Sequence, residues 1–156
     1  MPGKKSSFMK MDLPIANYVC RIREANDDPL RKGVFLKFDI EDGEYKNHFQ
    51  SICQESATNN FYYIGRIDQS CTGRDKRKFH DLILAIEKSN PGYKFVFIHK
   101  GDLVGKLIGL RLRKYQITRK DRTKWPRLEV LSYMTVDDAR AENSPEGGCP
   151  TCRNSE

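Results

Sequence analysis

Long apolar runs are missing from this chain: no stretch of its 156 residues approaches the ~20 consecutive apolar residues of a membrane helix. The start, Met1-Pro-Gly-Lys-Lys-Ser-Ser, is charged but has no apolar core after it, so no signal peptide is expected. A soluble cytoplasmic protein follows as the expectation. Histidine is scarce, with His48, His80 and His99 scattered along the sequence. Neither a Gly-rich phosphate loop nor a nucleophile elbow occurs. The carboxylate pairs Asp27-Asp28 and Asp137-Asp138 lack partners at catalytic spacing. No catalytic residue and no cofactor is therefore expected, and a nuclease or other metal-dependent hydrolase is disfavoured.

Cysteine is sparse and badly placed for metal. Cys20, Cys53 and Cys71 stand alone and far apart, which suits free thiols in a reducing compartment. Cys149-Pro-Thr-Cys152 is a single CxxC, whereas a structural zinc site takes four ligands, usually from two such pairs. No metal site is expected from it.

What the chain has instead is positive charge, unevenly distributed. Its 28 Lys and Arg exceed its 21 Asp and Glu by seven. Residues 135–156 carry five acids and two bases, which leaves residues 1–134 with a net charge of +10. Such a body favours a polyanionic partner. Mean hydropathy is low at −0.70, yet eight Phe, seven Tyr and one Trp supply the bulk for a small core. The length suits one domain with tails: a flexible arm over 1–12, a folded domain over 13–136, and a flexible, mildly acidic tail over 137–156.

Periodicity organises the domain. Tyr18, Cys20 and Ile22 alternate with Val19, Arg21 and Arg23, the pattern of a half-buried strand. Val34, Leu36, Phe38 and Ile40 predict a second strand, with Phe35, Lys37 and Asp39 facing outward. Asp42-Gly43 is a hairpin signal, and Glu44 to Cys53 is expected to be the third strand. Residues 54–73 have no clear period; a short extra strand or helical turn around Phe61 to Ile64 fits them. Phe79, Leu82, Ile83 and Ile86 lie at helical spacing within Asp75 to Ser89, and Asn90-Pro91-Gly92 stops that helix. Tyr93 to Ile98 reads as an edge strand or packed linker.

The last two strands form the most distinctive stretch. Leu107 to Ile117 and Trp125 to Tyr133 flank a polar turn, and between Lys106 and Arg127 nine Lys or Arg meet one acid, Asp121. With Ile108, Leu110 and Leu112 in the core, Gly109, Arg111, Arg113 and Tyr115 line the other face. Cations neutralise phosphates while aromatic rings give any base a face to stack on, the chemistry of sequence-tolerant single-strand binding. The candidate interface is Phe35, Lys37, Arg111, Arg113, Tyr115, Arg119, Lys120, Arg122, Lys124, Trp125 and Arg127. The bland alternative leaves Phe35 and Tyr115 as core cover and the arginines as solvated surface.

Three strands, a helix and two strands is the order of the OB fold, a five-stranded Greek-key barrel whose sheet face and loops bind oligonucleotides. An all-β domain with one helix between strands 3 and 4 is expected. Leu13-Pro14 before Tyr18, Phe38-Asp39-Ile40 through Gly43-Glu44-Tyr45-Lys46, Ser89-Asn90-Pro91-Gly92-Tyr93-Lys94 and Leu103-Val104-Gly105-Lys106-Leu107-Ile108-Gly109 resemble a family of phage proteins. That family, once a domain of unknown function from replication and recombination clusters of phages of Gram-positive bacteria, is similar to phage single-stranded DNA-binding proteins. The resemblance runs over about residues 13–140 and implies an OB fold that binds single-stranded DNA in a bacterial host cell. The chain departs from the pattern at Ile15-Ala16, where the family has a Gly-containing turn, and at Leu110 to Lys114, which is more basic here. Arg111 and Arg113 therefore rest on composition alone.

The expected partner is single-stranded DNA, with RNA, an oligomer, and phage replication or recombination proteins left open. The rival expectation is a protein-interaction module, a replisome or recombinase accessory factor using the same fold without touching DNA.

Overall fold

The computed structural model describes residues 13–27, 32–55, 63–122 and 124–143. The expected arm over 1–12, residues 144–156 of the expected tail with Cys149 and Cys152, and Phe61 and Tyr62 lie outside these residues. Among the described residues five strands run in the order β1 (Ala16–Asp27), β2 (Gly33–Ile40), β3 (Arg66–Ser70), β4 (Leu107–Thr118) and β5 (Lys124–Met134). Three α-helices among the same residues accompany them: α1 (His48–Glu55), α2 (Lys76–Ser89) and α3 (Val136–Asn143). Short 3-10 segments at Gly73–Asp75 and Phe97–Leu103 flank α2.

The sheet order is β3-β2-β1-β4-β5, antiparallel throughout. A bulge at Arg23, between Ile22 and Glu24, bends β1 against β2, and another at Leu131, between Val130 and Ser132, bends β5 against β4. Bulges increase local twist, and the sheet curls until its two edges face each other. There the Tyr133 hydroxyl donates to Gln69 Oε1 at 2.7 Å. The result is a nearly closed, barrel-shaped antiparallel sheet with few helices, consistent with an OB-like all-β fold.

The strand alternation fills the interior as the sequence predicts. Cys20 and Ile22, then Val34, Leu36, Phe38 and Ile40, then Ile108, Leu110 and Leu112 are all fully buried in one cluster. Helix α2 adds Leu82 and Ile86 to it, with Phe79 and Ile83 at its margin. The side chain of Asn90 fixes the helix end to the sheet. Its Nδ2 donates to Ile86 O at 2.7 Å and Leu107 O at 2.8 Å, while its Oδ1 accepts from Leu107 N at 3.0 Å. Tyr93 and Phe95 pack on the same core, so the aromatic run after α2 is a packed linker, not an edge strand.

The third strand is where the structure corrects the sequence. Gly43 does take a positive φ of 86°, but the turn leads through Asn47 into α1 rather than into a returning strand. Asp39, expected to face solvent, is 1% exposed. Its carboxylate accepts from Phe49 N and Gln50 N, each at 2.9 Å, and so caps the first turn of α1. Phe49 then enters the core edge to face with Phe38, the centroids 5.6 Å apart. The strand that pairs with β2 is Arg66–Ser70 instead, with Phe35 opposite Asp68 and Lys37 opposite Arg66. Gly65 precedes it because a Cβ there would lie 2.5 Å from Phe38 O and 2.7 Å from Phe49 Cδ2.

The expectation of one helix fails on α1 and again on α3. Helix α3 occupies residues assigned to the tail and covers the outer side of β1 and β4, where Val136 and Ala139 pack on Val19. Gly109 lies beneath it: an added Cβ would sit 2.6 Å from Thr135 O and 2.9 Å from Ala139 Cβ. Position 109 is thus packed, not part of an open face.

Candidate nucleic-acid interface

β1 pairs with β4 only as far as Leu112, opposite Ala16. Beyond it, Arg113–Thr118 and Lys124–Glu129 have each other as ladder partners and form a two-stranded ribbon. Cross-strand partners share a face. One face of the ribbon therefore carries the pairs Arg113 with Glu129 and Tyr115 with Arg127. Arg113 Nη1 meets Glu129 Oε1 at 2.9 Å, and its guanidinium lies over the Tyr115 ring, 4.9 Å from the centroid. Tyr115 is 38% exposed, a high value for an aromatic ring inside a strand.

The ribbon tip concentrates cations. Arg119, Lys120, Arg122 and Lys124 are exposed there, as is Arg127 further along β5. Arg122 holds a φ of +70°, and its N–H closes the turn onto Arg119 O at 2.8 Å. Trp125 lies opposite Ile117 in the ladder; its side chain is outside the described residues. On the ribbon's other face, Lys114 Nζ is 3.2 Å from His48 Nε2. An ammonium can only donate, so Nε2 is the acceptor and Lys114 is turned toward α1.

Phe35 and Lys37 are found on the outer face of β2, two strands away from β4. Phe35 is half-buried, and the guanidinium of Arg66 on β3 lies over its ring at 4.6 Å. Lys37 Nζ approaches Glu24 Oε1 at 3.5 Å. The barrel brings this group toward the ribbon across the seam between β3 and β5, not through β1. A groove of about 450 Å³ runs along that seam, with Arg66 and Asp68 on one wall and Glu129 on the other. Phe35, Arg66, Glu129, Arg113 and Tyr115 thus follow one another around the outside of the barrel. At the seam's far end burial, with a smaller effect of Asp75, pushes the pKa of Tyr133 upward, so its hydroxyl stays a donor to Gln69.

Arg111 is the least available of the expected residues. It is half-buried beside α3's face of the sheet, and its Nη1 donates to Asn17 Oδ1 at 3.1 Å. Arg66 belongs to this surface, and the sequence pattern does not reveal it. Arg66-Ile67-Asp68-Gln69 does alternate, but a single inward aliphatic, Ile67, gives too weak a period to mark the strand that presents it.

Among the described residues no group of three or more His, Cys, Asp or Glu side chains comes together to hold a metal ion. No helix among them is long and apolar enough to cross a membrane. No known family model matches the chain, and no curated protein is found similar to it.

Proposed function

We propose that the barrel is an OB fold of Greek-key topology, with α2 as the helix between its third and fourth strands, and that it binds single-stranded DNA with little sequence preference. The ribbon carries the reading: its exposed cations suit phosphates, and Tyr115, set between Arg113 and Arg127, offers a base a stacking face. Phe35 with Arg66 extends the same chemistry around the barrel. The protein acts as a binding module in phage replication or recombination, where exposed single strands need coating, and not as an enzyme. Sequence-tolerant coating needs stacking and charge but no catalytic centre. Adding oligo-dT at two salt concentrations while following the fluorescence of Trp125, the sole tryptophan, tests this. Quenching that weakens with salt is the expected result.

One observation favours a second reading. Val96, Phe97 and Ile98 are 46%, 41% and 80% exposed in consecutive positions, an apolar run suited to a protein partner. A replisome or recombinase accessory module would use it and would bind no oligonucleotide even at low salt.

A further inference from the structure

A second concave feature lies on the outer face of β1 and β2, where α1 packs against the sheet. It is a groove of about 390 Å³ lined by Arg23, Glu24, Lys37, Asp39, Gln50 and Tyr63, within the roughly 300–1,000 Å³ of small-ligand sites. Its components are held in place to a degree that a surface crease does not require. Asp39 accepts from three backbone N–H groups, those of Ile40, Phe49 and Gln50, each at 2.9 Å. That satisfies the buried carboxylate and locks the backbone of Gln50 against β2. Arg23 Nη2 donates to Asn47 Oδ1 at 3.0 Å, which ties it to the start of the same helix. Tyr63, whose hydroxyl donates to Phe38 O at 2.9 Å, also lines the groove.

Gln50 is the exception among these anchored groups. Its side chain is exposed, lines the groove, and makes no hydrogen bond among the described residues. A primary amide offers a donor and an acceptor side by side. Arg23 and Lys37 stand on the same groove, balanced there by the carboxylates of Glu24, 3.5 Å from Lys37 Nζ, and Asp39. Lys37 also adjoins Phe35 and Arg66 through the β2–β3 ladder, so the groove continues the proposed binding surface.

Resting on the single-strand reading above, we propose that this groove holds one unstacked nucleobase whose edge is met by Gln50. Every unpaired base presents an adjacent donor and acceptor on its Watson–Crick edge, and a free amide can turn to match any of them two to two, as unstacked bases are met on such edges in single-strand recognition. The groove then adds affinity for a base without making the protein selective.

The test compares a dT homopolymer with an abasic strand of the same length by fluorescence anisotropy, with wild type and Gln50→Ala. Gln50 is exposed on a surface helix, so the variant should fold, which circular dichroism checks. Gln50→Ala should weaken dT binding on the order of tenfold, the worth of a good bidentate pair, while leaving the salt slope and the affinity for the abasic strand unchanged. A Gln50→Ala protein that binds dT as wild type does, or that loses as much on the abasic strand, overturns the base-holding groove and leaves single-strand binding intact. Failure of wild type to bind dT overturns both.

Discussion

The guanidinium of Arg66 lies 4.6 Å above the ring of Phe35, joining the second and third strands on the barrel's outer surface. A base that stacks at this point finds an aromatic ring and a cation already paired. Phe35→Ala should weaken oligo-dT binding by about 1–3 kcal/mol, the usual worth of one stacked base. Isothermal titration calorimetry reads the loss directly, and Phe35→Trp should recover it. A merely structural Phe35 would show reduced thermal stability with unchanged affinity.

The ribbon tip makes a different prediction, about charge rather than stacking. Each phosphate neutralised on a single strand contributes ~0.7 to the slope of log Kd against log salt. Replacing Arg119, Lys120 and Arg122 together by Ala should therefore flatten that slope by about 2. These side chains are exposed at the turn, so the melting temperature should hardly move. An unchanged slope would place the phosphates elsewhere.

Helix α1 depends on a cap supplied from far upstream. Asp39→Ala removes the acceptor of Phe49 N and Gln50 N and should cost about 1–2 kcal/mol in urea unfolding. Asp39→Asn, which keeps one acceptor oxygen, should lose less. The same dependence explains what the sequence conceals. Tyr45, Phe49 and Ile52 are spaced by four and three, which is helical, yet Asp42-Gly43 next to a clear strand argues for a hairpin. The residue that decides between them is the cap at Asp39, and its partners are ten and eleven residues away, beyond the reach of a local pattern.

Elsewhere legibility follows the number of inward apolar residues. β2 has four, Val34, Leu36, Phe38 and Ile40, and the Phe79, Leu82, Ile83 and Ile86 stripe of α2 is as plain. β3 offers only Ile67 with Gln69, and α3 contributes Val136 and Ala139 to a small separate cluster. Neither leaves a periodic mark in the sequence for that reason. The cationic ribbon is legible because its charge is contiguous along the chain. The proximity of Phe35 to it is not, since Arg66 and the open seam between β3 and β5 create it.

Acid should weaken the fold partly through Glu41. The Arg21 side chain, bonded to it at 2.8 and 2.9 Å, holds its pKa below the usual carboxylate range, against the opposing effect of burial. A depressed folded-state pKa means that the stabilisation is present above the ordinary carboxylate pKa and is lost as pH falls through the folded value. The pair is partly exposed, so the contribution is about 1 kcal/mol or less. Glu41→Gln should therefore be less stable than wild type at neutral pH, and the gap should close on acidification below the ordinary carboxylate range. A gap that persists at the acid end would assign the loss to packing.

The most direct measurement is the affinity of the whole protein for a labelled oligo-dT and for a duplex of the same length, at low and at raised salt. Stacking on Tyr115 and Phe35 requires unpaired bases, so the single strand should bind more tightly at both salt concentrations, with each affinity falling as salt rises. Equal affinity for the two forms, or no binding at low salt, would contradict the account.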